Sequence, residues 1–149
     1  MKECNYEKMI IKTSDLVHEK FKVIYAKKNN GTRVKITTDQ EWIKCHKTNL
    51  ADLAKLCYDE LPEDWKKERW CGSKAALDEV LAATREGRAF DEEFIERAAF
   101  VVHEDWLIRN INRAEKEHRL SYQDLSEDVK EKDRIFVHAA IEILQENLT

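Results

Sequence analysis

Residues 91–110 read DEEFIERAAFVVHEDWLIRN, and this stretch decides the fold class. Phe94, Ala98, Val101, Val102 and Leu107 recur near the 3.6-residue period of a helix with one buried face. Asp91 at its start reads as a cap or a surface carboxylate. Working outward, Pro62 suits the first turn of a helix running to about Thr84, ahead of Gly87. Ser126 can cap a further helix that carries Val129, Phe136, Ala140 and Ile143 on one face. A shorter helix over Thr38–His46 is expected, with Thr38 as its cap and Trp42 turned inward. Three Gly and one Pro in 149 residues argue against a large all-β fold, whose many turns consume both residue types. The scattered glycines also exclude a P-loop or a dinucleotide-binding turn.

The first forty residues have another texture. Phe21–Tyr25 and Thr32–Thr37 are β-branched, aromatic and alternating, and Asn30-Gly31 between them is a strong hairpin signal. The expected architecture is therefore mainly α: one helical domain of two related helical units with a short N-terminal β-hairpin. A basic segment with the hairpin covers 1–38, the first unit 39–86 and the second 91–148.

Two units are read from an internal echo. Tyr58, Leu61, Glu63, Asp64 and Lys66 match Tyr122, Leu125, Glu127, Asp128 and Lys130 at an offset of 64. The same offset carries Trp42 onto Trp106 and Ala75-Ala76 onto Ala139-Ala140, and it pairs Asp39 with His103. Two such units can bury their apolar faces against each other.

Charge and cysteines bound the function. Residues 1–50 hold 11 Lys/Arg against 6 Asp/Glu, and residues 51–149 hold 15 against 24. The acidic part would repel a phosphate backbone, which disfavours general nucleic-acid binding. Cys4, Cys45, Cys57 and Cys71 form no C-x-x-C pair, so no zinc site is read. No signal-peptide core or membrane span is present, and a cytoplasmic chain with reduced thiols acting as small buried hydrophobes is expected.

No catalytic constellation stands out. His103-Glu104 opens like a zincin motif, but Leu107 occupies the place of the second histidine. Cys45 and His46 are neighbours that would not face each other on a helix, and a thiol hydrolase would need His118 or His138 folded back onto Cys57 or Cys71. Neither an enzyme nor a cofactor is expected. Trp42, Trp106 and Tyr122 could stack on a flat ring, with Arg109, Lys130, Lys132 and Arg134 taking phosphates. The competing reading makes the aromatics core anchors and the basic run a solvated face. For His103 it gives a structural bond to a carboxylate or a backbone carbonyl.

His103-Glu104-x-Trp106, Tyr122-x-x-Leu125-Ser126-Glu127 and Lys130–Arg134 together resemble the ryanodine-receptor repeat domain over residues 101–145. Residues 41–80 echo it more weakly. Where family members carry Gly-Trp-x-Tyr-Gly, this chain reads Asn110–Arg119 without glycine. The resemblance implies a non-enzymatic helical module of the bacterial or phage type that binds a nucleotide-derived ligand or a partner protein. Its candidate ligand residues are His103, Trp106, Arg109, Asn110, Tyr122, Lys130, Lys132, Asp133 and Arg134, with Trp42 from the first unit. The alternative is a protein-interaction or oligomerisation adaptor whose basic hairpin docks on an acidic partner.

Overall fold

The structure, a computed structural model, describes residues 3–28, 30–112 and 119–148. The chain is mainly helical, with one small antiparallel sheet. Its elements are α1 (Glu3–Lys28), β1 (Val34–Ile36), α2 (Gln40–His46), β2 (Leu50–Asp52), α3 (Glu63–Arg85), α4 (Glu92–Asn110) and α5 (Glu127–Asn147). Single 3₁₀ turns at Tyr58–Glu60 and Tyr122–Asp124 lead into α3 and α5.

The three long helices read from the sequence are present with their caps. Asp91 accepts the Phe94 N–H at 2.9 Å and Ser126 accepts that of Val129 at 3.4 Å. Pro62 precedes α3 but cannot cap it with a side chain, and Asp39 does so from a distance. Its carboxylate takes the Glu63 N–H at 2.8 Å and the Trp42 N–H at 3.2 Å. Those two bonds hold the Asp39 carboxyl below the usual range. Asp39, rather than Thr38, therefore caps α2, while Thr38 donates its N–H to Asp64 at 3.0 Å.

The expected hairpin is corrected in one half. Phe21–Tyr25 is not a strand but the last third of α1. Residues Met9, Thr13, Ser14, Val17, His18, Phe21 and Tyr25 are buried at helical spacing, with polar members among them. Thr13 and Ser14 return their hydroxyls to the carbonyls of Met9 and Ile10 at 2.7 and 2.8 Å, which lets them sit inside the core. Asn30 and Gly31, both at positive φ, end this helix instead of joining two strands, and the Gly31 N–H reaches back to the Tyr25 carbonyl at 3.0 Å. Asn29 of the expected turn lies outside the described residues. The actual partner of β1 is β2, with Val34 opposite Asp52, Lys35 opposite Ala51 and Ile36 opposite Leu50.

The helices pack as two interlocked pairs. α1 and α4 each lie against both α3 and α5, and α3 packs directly on α5. Where α3 meets α5, Gly72 faces the ring of Phe136, its own counterpart at offset 64. Phe136 also stands edge-on to Phe21, with ring centroids 5.8 Å apart. α1 thus relates to α3 as α4 relates to α5. The first unit includes the N-terminal helix, and residues 29–57 intervene between its parts.

Candidate functional site

Each unit builds a buried histidine from the same three pieces. In the second unit, Nε2 of His103 on α4 donates to the Leu120 carbonyl at 2.7 Å. Its Nδ1 lies 3.4 Å from a carboxylate oxygen of Asp133 on α5. Trp106 lies nearly parallel to the imidazole at 5.9 Å, and Tyr122 flanks it at 6.4 Å. In the first unit, Nε2 of His18 on α1 donates to the Leu56 carbonyl at 2.8 Å, and its Nδ1 faces Nε of Arg69 on α3 at 3.4 Å. Leu56 and Leu120 are equivalent at offset 64, and so are Arg69 and Asp133. The counterpart of His103 is therefore His18, not Asp39.

A legible signal for this existed. Val17-His18-Glu19 and Val102-His103-Glu104 are the same tripeptide, 85 residues apart. Met9, Thr13, Ser14, Val17, His18 and Tyr25 occupy buried positions matching Phe94, Ala98, Ala99, Val102, His103 and Asn110 at that offset. The 21-residue difference between the two offsets is the extra length of the first unit's intervening segment, which carries β1, α2 and β2.

The two histidines have opposite electrostatics. Burial and the Arg69 cation push His18 down to about 4, so it stays neutral and offers its Nδ1 lone pair to the guanidinium. Burial also disfavours charge on His103, but the bonds to Asp133 and to the Leu120 carbonyl outweigh it and raise its proton affinity.

The cations expected to take phosphates are mostly engaged. Arg134 binds Glu96 through two nitrogens at 2.6 and 2.9 Å, and reaches Glu127 at 2.9 Å and Glu131 at 3.3 Å. Glu96 in turn accepts the Tyr122 hydroxyl at 2.5 Å. Burial first, then that carboxylate, raises the Tyr122 phenol far above its ordinary value. Arg109 pairs with Glu68 at 3.2 Å and with Asp105, and Asn110 donates to Glu68 at 3.2 Å and to the Trp106 carbonyl at 3.0 Å. The Lys130 ammonium sits 5.4 Å from the Tyr122 ring centroid and 3.7 Å from Glu127. Trp42 belongs to the first unit, donating to the Glu60 carbonyl at 3.0 Å and stacking on His46 at 3.9 Å. His103, Trp106, Tyr122, Asp133, Lys130 and Arg134 are thus brought together, whereas Trp42 and Lys132 are placed elsewhere. Arg134→Ala is expected to cost about 1 kcal/mol, because the Glu96 end of its bidentate pair is open to solvent. An unchanged urea midpoint would show that the ion-pair fan carries no stability.

The equivalent surface of the first unit stays open. Trp70 stands where Arg134 does, and Ile11 where Glu96 does, so no ion-pair fan forms at those positions. A depression of about 390 Å³ remains there, lined by Tyr58, Glu63, Asp64, Lys66, Lys67 and Trp70. The Lys66 ammonium lies 5.8 Å from the Tyr58 ring centroid, as Lys130 lies on Tyr122, while Lys67 is exposed at the rim.

Cys45 and Cys57 are exposed and Cys71 is half-buried, so these three thiols are not core hydrophobes. His118 lies outside the described residues, as does the rest of 113–118 within the connection that departs from the family pattern. Among the described residues no cluster of side chains could hold a metal ion, and no helix is long and apolar enough to cross a membrane. Comparison of the chain with family models, curated proteins and solved structures gives no match.

Proposed function

We propose that this chain is a non-enzymatic ligand-binding module of the ryanodine-receptor repeat kind, whose ligand is a nucleotide-derived small molecule. One observation supports the reading above others. Of two equivalent faces, the second is closed by Arg134 and its carboxylates, while the first leaves the Trp70 indole beside two lysines. An indole can take the flat face of a base, and in this reading Lys67 at the rim takes a phosphate. Glu63 and Asp64 limit how many phosphates that rim tolerates.

The test is calorimetric titration with adenine nucleotides and cyclic nucleotides. Trp70→Ala is expected to weaken binding about tenfold or more, the loss of about 1.4 kcal/mol of stacking. Lys67→Ala should weaken phosphate-bearing ligands and spare the free nucleoside. Failure of the whole panel to bind, or binding that Trp70→Ala leaves intact, would overturn the reading.

A second reading, a protein-interaction or oligomerisation adaptor, is favoured by the outer face of the sheet. There Val34, Ile36 and Leu50 are at least half exposed side by side. Light scattering separates the two, since the adaptor requires a mass that rises with concentration or with an added partner.

A further inference from the structure

The alternation along residues 33–37 runs opposite to that of a sheet laid on a core. Val34 and Ile36 are 51% and 65% exposed. Arg33, Lys35 and Thr37 take the inward positions, with Thr37 2% exposed and Lys35 paired with fully buried Ala51. The ladder extends past both ends of β1, through Leu53 N–H to the Arg33 carbonyl and Thr37 N–H to that of Asn49, so all three share one face. Two cations are therefore directed at the helices.

Two more meet them there. The Arg33 guanidinium lies 5.9 Å from the centroid of the Tyr25 ring, and Arg69 donates to the Tyr25 hydroxyl at 2.9 Å. Arg69 also lies 4.4 Å over Phe21, and the Lys35 ammonium lies 5.9 Å from the Trp65 ring. On α5, Lys132 stands one turn after Asp128 and one turn before Phe136. Asp128 bonds Lys28 at 3.3 Å and Phe136 meets Phe21, which sets Lys132 opposite the Tyr25 turn of α1. Burial, then the charges of Arg33, Lys35 and Arg69, lower the proton affinity of Lys132.

The nearby carboxylates have other work. Asp52 accepts the backbone N–H of Arg33 and the hydroxyl of Thr32, Asp64 holds Thr37 and Thr38, and Asp133 faces His103. Among the described residues Arg33, Arg69 and Lys132 form no ion pair. At the equivalent place in the other unit the position of Lys132 is Glu68, and its charge is met by Arg109 and Asn110.

We propose that Arg33, Arg69 and Lys132 form a binding site for a multiply charged phosphoryl anion, held between β1, α3 and α5 around Tyr25. An anion there satisfies the guanidinium donors of Arg33 and Arg69, which their ring contacts meet only in part, and the ammonium of Lys132, which forms no ion pair among the described residues. The site is separate from the Trp70 face and requires no ring in its ligand.

The experiment is thermal unfolding of the full chain with sodium pyrophosphate, against sodium chloride at matched ionic strength. At tenfold excess over its dissociation constant, pyrophosphate is expected to raise Tm by about 4 °C, and chloride is expected to fall well short. Lys132→Met should raise Tm without the anion, by removing a crowded like charge, and lose most of the pyrophosphate response. Arg33→Gln should lose the response too, and serves if Lys132→Met does not fold. Lys12→Ala, on the exposed side of α1, should respond as the parent does. A rise no larger than that in chloride, or an equal rise in Lys132→Met or Arg33→Gln, overturns the proposal. Inorganic phosphate and ATP as further arms report whether the free anion or the phosphate end of a larger molecule is preferred.

Discussion

Replacing Gly72 with leucine is expected to destabilise the protein by about 3 kcal/mol or more, read as a fall in the urea midpoint. A Cβ at residue 72 would stand 2.5 Å from Cε1 of Phe136, 2.8 Å from Cζ and 2.9 Å from Cδ1. The ring cannot swing away freely, because it is buried and set edge-on against Phe21. The backbone at Gly72 is ordinary helix, so glycine is required there by space alone. Alanine makes the balance visible. It gains about 1 kcal/mol of helix propensity and loses about 1–3 kcal/mol to overpacking, so a small net loss is expected. Adding Phe136→Leu to Gly72→Ala should recover part of that loss, and a double-mutant cycle would return a favourable coupling. An unchanged midpoint for Gly72→Leu would mean that α3 and α5 do not meet at these positions.

His18 and His103 are expected to titrate on opposite sides of the ordinary value of 6.5, the first near 4 and the second above it. Ring-carbon NMR shifts followed against pH would show this directly, and two midpoints near 6.5 would contradict the buried geometry. The consequences for stability have opposite signs. Neutral His18 stabilises the fold above pH 6.5, and this contribution is lost as the pH falls toward 4, since the unfolded chain binds the proton first. The full loss is about 3 kcal/mol, on the order of 1.4 kcal/mol per pH unit of displacement. The contribution of charged His103 is complete below pH 6.5 and disappears as the pH rises through its raised value. Asp133→Asn should drop His103 below 6.5, because burial then prevails. Arg69→Gln should raise His18 only part of the way, because burial is its larger cause.

The sequence disclosed α3, α4 and α5 because carboxylate, hydroxyl and proline signals mark their starts and a clean apolar stripe follows. α1 was hidden for a physical reason. Thr13, Ser14 and His18 occupy its buried face, satisfied by bonds that no periodicity reveals, and its β-branched end resembles a strand. Asn30-Gly31 supplies two residues at positive φ, and a helix exit uses these as readily as a hairpin does. At the candidate site, closeness in sequence groups Lys132 with Arg134. Two residues on, a helix has turned past its opposite side, so one cation joins the Glu96 network and the other lies on the side of α5 that runs along α1. The inverted alternation at Arg33–Thr37 was visible in the letters, but its meaning depended on which side of the strand the helices cover.

One consequence lies in the connector between the halves. Residues 86–91 are the sole covalent crossing from α3 to α4, and they include Gly87 at a positive φ that releases the chain from α3. Because α1 rests on α5 and α4 rests on α3, each half completes the other's interior. Severing the connector would give two pieces that recombine as a complemented pair. Straightening it would let two molecules trade second halves, reproducing the Gly72–Phe136 crossing between chains in place of within one.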